Sequence, residues 1–87
     1  MPEISRFYGI IIYMYGKDHN PPHFHAKYGE FMGVIDIETG KLIEGKLPTR
    51  AKRLVKEWME LHRAELMLDW LESQKDDGNI KGIDPLL

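Results

Sequence analysis

The apolar positions change period part-way along the chain. Through residues 1–45 they alternate, or run in short stretches bounded by Gly, Pro, Asn and Asp, which is the pattern of strands and turns; from 48 to 77 they recur at helical spacing. Residues 4–15 are rich in Ile, Tyr and Phe, which suit a pleated surface. Both alternating sets are apolar there (Phe7, Ile11, Tyr13 and Tyr15; Tyr8, Ile10, Ile12 and Met14), which predicts one interior strand covered on both sides. Loop chemistry follows at 16–22, with Gly16, Asp18, Asn20, Pro21 and Pro22. Residues 23–28 resume alternation, with Phe24, Ala26 and Tyr28 facing one way and His23, His25 and Lys27 the other. A turn at Gly29 and Glu30, a third strand at 31–37, a hairpin turn at Glu38-Thr39-Gly40-Lys41 and a short fourth strand at 42–45 complete the first half.

The second half predicts one long helix over 48–77, with Pro48 suited to its first position and Gly78 to the residue beyond its end. At 100° per residue, Ala51, Leu54, Val55, Trp58 and Leu61 form a stripe that should cover the sheet. The stripe then turns polar at His62, Glu65 and Asp69, while Met59, Leu66, Met67 and Trp70 gather on another side. Either the helix breaks near 62–64, or its second half packs on something else: the tail at 78–87, with Ile80, Ile83, Leu86 and Leu87, or a second chain. The expectation is a single α+β domain spanning 1–87, a small antiparallel sheet of three to four strands packed against one long C-terminal helix.

Composition narrows the function without naming it. The chain has 87 residues, 43% apolar and 30% charged, ordinary globular values that argue against a disordered chain or a coiled coil. With no cysteine, disulfides, thiolate-held zinc and thiol nucleophiles are excluded. The longest apolar or aromatic run, 10–15, is far short of the ~20 residues a membrane span needs, and Glu3 and Arg6 near the start are unlike a signal peptide. A cytoplasmic protein without a membrane association is expected. Twelve basic and fourteen acidic residues, net −2, give no global reason to expect nucleic acid as a partner. No glycine-rich phosphate loop or nucleophile elbow is present.

The candidate chemistry lies in His19-Asn20-Pro21-Pro22-His23-Phe24-His25, which holds three of the four histidines. Two apart on a strand, His23 and His25 share a face; the prolines of the preceding loop restrict the backbone and could aim His19 back toward them. Three imidazoles, with Asp18 and Glu30 as oxygen donors close by, suit one divalent transition metal such as zinc, nickel, manganese or iron. Without a metal the same histidines can act as acid and base, or simply hydrogen-bond a tight loop. His23, His25 and Glu30 are similar to the first metal motif of cupins, but a jelly roll needs about eight strands and half of this chain reads as helix. On the helix, His62, Glu65 and Asp69 share a stripe that either joins the histidine cluster or lies in solvent.

Charge is polarised along the helix. Lys46, Arg50, Lys52, Arg53 and Lys56 have no acid among them, whereas seven acids against Arg63 and Lys75 occupy 57–77. This opposes the helix dipole and offers a basic end for anions and an acidic end for a basic partner, or merely a solvated surface.

Glu3-Ile4-Ser5-Arg6-Phe7-Tyr8-Gly9-Ile10 with the preceding Pro2, the block Asp18-His19-Asn20-Pro21-Pro22-His23-Phe24-His25, Tyr28-Gly29-Glu30, Glu44-Gly45-Lys46-Leu47-Pro48 and the run from Leu54 through Trp58 to Trp70 together resemble the bacterial family called domain of unknown function 4160. The resemblance covers nearly the whole chain. It implies a small bacterial protein, often encoded beside another small protein in an arrangement similar to toxin–antitoxin pairs. Two functional expectations follow. The first is an interaction module of such a pair, binding a neighbour-encoded protein or a second copy through Met59, Leu66, Met67 and Trp70. The second is a metal-dependent hydrolase of phosphate esters or nucleic acid, with His19, His23 and His25 as ligands, Arg50, Lys52 and Arg53 holding the anion, and Glu30, Glu65 or His62 in catalysis.

Overall fold

The computed structural model describes residues 3–87; residues 1 and 2 of the predicted strand half lie outside the described residues. Five strands, β1 (Glu3–Phe7), β2 (Ile10–Tyr13), β3 (His23–Tyr28), β4 (Phe31–Asp36) and β5 (Leu42–Gly45), pair in chain order as one antiparallel sheet. Two helices, α1 (Thr49–Leu61) and α2 (Arg63–Ser73), follow. The class is α+β as expected, with five strands rather than three or four and two helices rather than one.

The extra strand arises because residues 4–15 are a hairpin. Tyr8 and Gly9 both take positive φ, 50° and 81°, the two-residue turn whose twist matches antiparallel strands, and Phe7 pairs with Ile10 across it. The apolar character of both alternating sets reflected two strands sharing one core rather than one strand with two covered faces: Ile4 and Phe7 of β1 and Ile10 and Ile12 of β2 are all buried.

The core lies between the inner sheet face and the helices. Phe24 and Ala26 of β3, Ile35 of β4 and the following Ile37 meet Ala51, Val55, Trp58 and Met59 of α1 in one buried cluster. Trp58 is fully buried, its ring centroid 5.3 Å from Phe7 and 5.8 Å from Phe24. Leu61, placed on this stripe by periodicity, is 69% exposed because α1 ends there.

The helix breaks at His62, whose backbone (φ −124°, ψ 21°) leaves the helical region. Its N–H reaches back to the Trp58 and Met59 carbonyls, closing α1, while its carbonyl accepts the Leu66 N–H and opens α2. Glu65, in the first turn of α2, holds the His62 ring at 2.6 Å. An acid three residues after the cap grips the cap residue, as in a capping box, here through the imidazole, and it complements the dipole of α2.

The tail is the cover that the second half of the helix required. Ile83 is buried and donates its N–H to the Ile4 carbonyl of β1 at 2.7 Å; the Asp84 carbonyl accepts the Trp58 indole N–H at 2.8 Å; and the Lys81 N–H donates to Asp69 Oδ1 at 2.9 Å. Met59, Leu66 and Trp70, expected as a partner surface, are at most 4% exposed, and Met67 packs against the same core. They form the interior, so the partner-binding expectation loses the surface on which it rested. Among the described residues no helix is long and apolar enough to cross a membrane.

Two predictions follow from this packing. Gly45 has φ +79°, and a Cβ there would collide with the Met32 carbonyl; Gly45→Ala should cost about 1–2 kcal/mol from the left-handed backbone alone, more with the collision, read by urea denaturation. Asp69 is buried, with Oδ2 unpartnered. Burial raises its pKa above the ordinary 3.8, the Lys81 N–H partly opposes this, and Glu65 adds to the rise. An acid raised in the folded state contributes its stability fully below the unfolded pKa and loses it as pH rises through the folded value. Asp69→Asn should therefore be more stable than wild type at pH 7, by about 1 kcal/mol, with the gap closing as pH falls toward 4 in thermal melts.

Candidate metal centre

Alternation along β3 turns His23 and His25 away from Phe24 and Ala26, onto the outer face of the sheet. The loop between β2 and β3 brings a carboxylate over them. Lys17 sits at φ 60° and donates its N–H to the Ser73 carbonyl at the end of α2, while its ammonium pairs with Asp76. The Pro22 carbonyl accepts the Ile37 N–H just after β4. Pinned at both ends, the loop includes a cis Asn20–Pro21 peptide and sets Asp18 above the start of β3. Behind it, the His23 ring lies 5.2 Å from Trp70 of α2, and His25 meets Tyr15 edge-on at 4.6 Å.

The hydrogen bonding of His23 is specific. Its side chain is 8% exposed. Nδ1 is 2.7 Å from the Pro21 carbonyl and Nε2 is 2.9 Å from Asp18 Oδ2. A carbonyl and a carboxylate are both acceptors, and a neutral imidazole donates through one nitrogen only, so the Nε2–Asp18 contact is a place for a shared proton or for a cation. His25 Nε2 lies 3.5 Å from the same Asp18 oxygen, buried and without a hydrogen-bond partner. The ligand atoms of Asp18, His23 and His25 all fall within 4.8 Å of one another. Zinc–ligand bonds of about 2.0–2.2 Å in a tetrahedron set neighbouring donors roughly 3.3 Å apart, so the 2.9 and 3.5 Å separations are close to a coordination edge.

The electrostatics favour the ligating forms. Burial pushes the His25 pKa down; Asp18 opposes this and His23 reinforces it, so the neutral imidazole is favoured. Burial alone would raise Asp18, but hydrogen bonds from His23 and the His19 N–H outweigh it and hold the carboxyl below its ordinary value. A metal needs a neutral imidazole and an ionised carboxylate.

The donors that the fold brings together are thus Asp18, His23 and His25, and the predicted His19 stands outside that group. The His19 side chain is 94% exposed, with Nδ1 3.4 Å from Asp18 Oδ1. A cleft of about 290 Å³ adjoins the cluster and is closed on its far side by Val34, Ile43 and Glu44. Glu44 was missed by sequence reasoning. It reaches the site because His25 pairs with Val34 and Val34 with Glu44, a register across three strands that local spacing does not encode.

The other candidates lie elsewhere. Glu30 is in the β3–β4 turn, at the far end of β3 from His23. His62 and Glu65 pair with each other at the helix break, beside Trp58. Arg50, Lys52 and Arg53 stand in the first turns of α1, and Lys52 borders a separate cavity of about 180 Å³ with Ile35, Leu42, Leu47 and Val55. None of these six borders the histidine cleft, so the predicted anion clamp and bases do not meet the predicted ligands.

A family model described as a domain of unknown function, DUF4160, matches residues 9–71, which include the loop, both histidines and Glu44. No curated protein and no solved structure matches the chain.

His23 is packed and doubly bonded whereas His19 is solvated, so their truncations should differ. His23→Ala should cost about 2–4 kcal/mol in chemical denaturation, and His19→Ala should stay within about 0.5 kcal/mol of wild type.

Proposed function

The chain belongs to the DUF4160 family, and from that premise, which names no chemistry, we propose that it is a metal-dependent module holding one divalent transition ion through Asp18, His23 and His25. The observation that carries this reading is His23, whose Nδ1 faces the Pro21 carbonyl and whose Nε2 faces the Asp18 carboxylate. A ligating histidine commonly donates its second ring N–H to a backbone carbonyl, which fixes the ring and directs its lone pair at the ion; here the carbonyl of Pro21 takes that part. The ion would replace the shared proton between His23 and Asp18, and the unpartnered His25 Nε2 would be its third donor.

Two imidazoles and a carboxylate suit zinc or iron(II) better than the hard ions that prefer all-oxygen cages. Three protein ligands beside a cleft leave coordination positions for water or a substrate, as catalytic sites do and closed structural sites do not. An ion there would lower the pKa of a bound water or polarise a carbonyl. Val34 and Ile43 would shield one side, and Glu44 would stand within the field of the centre, since its charge already bears on His25.

Metal content of the purified chain and calorimetric titration with zinc test this reading. One ion per chain is expected, with affinity reduced at least about 100-fold in Asp18→Asn and in His25→Ala and unchanged in His19→Ala. Equal uptake by wild type and a folded His25→Ala would overturn it.

A further inference from the structure

The walls of the histidine cleft carry a charge bias that bears on what the centre can hold. Resting on the metal-centre reading above, we propose that the cleft selects a small neutral or cationic amide, with its carbonyl oxygen toward the ion and its N–H or ammonium end toward Glu44, and that it rejects phosphate and other anions.

Three observations carry this. The residues bordering the cleft include two carboxylates, Asp18 and Glu44, and no lysine or arginine. A divalent ion held by ionised Asp18 keeps one positive charge, which the Glu44 carboxylate on the same cleft offsets, so an incoming anion meets no net positive charge. Phosphate sites, by contrast, are built from arginine, lysine or a row of backbone N–H groups. The cations that a phosphate ester would need, Arg50, Lys52 and Arg53, belong to α1, and that helix covers the inner sheet face while the cleft opens on the outer one. Lys27, the next residue after His25 on the outer face of β3, is exposed and does not border the cleft.

Size and apolar surface define the rest. About 290 Å³ is at the lower end of ligand pockets, which run from about 300 to 1,000 Å³, so an amino-acid-sized molecule fits and a nucleotide does not. Val34 and Ile43 offer aliphatic contact between the centre and Glu44. An acceptor at one end, a short apolar body and a donor or positive charge at the other is the complement of that row. Glu44 is a positioning residue in this scheme, exposed on an edge strand, so substituting it leaves the core intact.

The test uses the full chain loaded with cobalt(II), read by its visible d–d spectrum, and three probes: β-alaninamide, which is cationic; succinamate, an anionic amide of similar size; and inorganic phosphate. β-Alaninamide should perturb the spectrum with a half-saturation roughly fivefold lower than succinamate, and phosphate should leave it unchanged over the same range. In Glu44→Gln the metal content should hold and the preference should vanish; Glu44→Lys should reverse it. Phosphate or succinamate binding as tightly as β-alaninamide, a preference that survives Glu44→Gln, or no response to any probe would each overturn the proposal. Failure to take up cobalt at all would overturn the metal-centre reading itself.

Discussion

The His23 imidazole stands between two acceptors, the Pro21 carbonyl on one side and the Asp18 carboxylate on the other, with the Trp70 indole against its face. This single ring touches three parts of the chain at once: the β2–β3 loop, the first residue of β3, to which it belongs, and the second helix. Loop position and carboxylate position are consequently set together. A neutral imidazole can donate to only one of the two acceptors, so the gap between Nε2 and Asp18 on the outer sheet face is a place for a shared proton or an ion.

The inner side of the molecule obeys a different constraint. One sheet face is covered by two helices rather than one straight one: α1 ends at Leu61 with its apolar stripe spent on Ala51, Val55, Trp58 and Met59. Breaking at His62 lets α2 set Leu66 and Trp70 inward, and it is Trp70 that then supports His23 from behind. Trp70 thus belongs to the core and borders the site at once, which explains why a tryptophan that looks like an interface anchor in sequence is a packing element in the fold.

Much of this was legible before folding was considered. The alternation of β3 put His23 and His25 on one face, the turn residues marked the later hairpins, and the change of character after Leu61 marked where one helix stripe ceases. The strand count was not legible, because a Tyr-Gly turn inside an unbroken apolar run carries a weak signal and a hairpin arm and a doubly covered strand have the same composition. The ligand set was partly legible. Adjacency favoured His19, yet the loop spends its reach on Asp18 and leaves His19 in solvent. Glu44 was invisible, since its place depends on two successive strand registers. Asp69 was read as exposed or shared with the histidines, and the tail instead closed over it.

The tail bonds have a consequence in time as well as in space. Lys81, Ile83 and Asp84 fasten α2, β1 and α1 respectively, and all three are synthesised after every strand and helix they close. Until that stretch has been made, the Trp58 indole N–H, the Asp69 carboxylate and the Ile4 carbonyl lack these partners. The Trp58 ring can pack against Phe7 and Phe24 without the tail, but these polar groups of α1, α2 and β1 are satisfied only when the tail joins them.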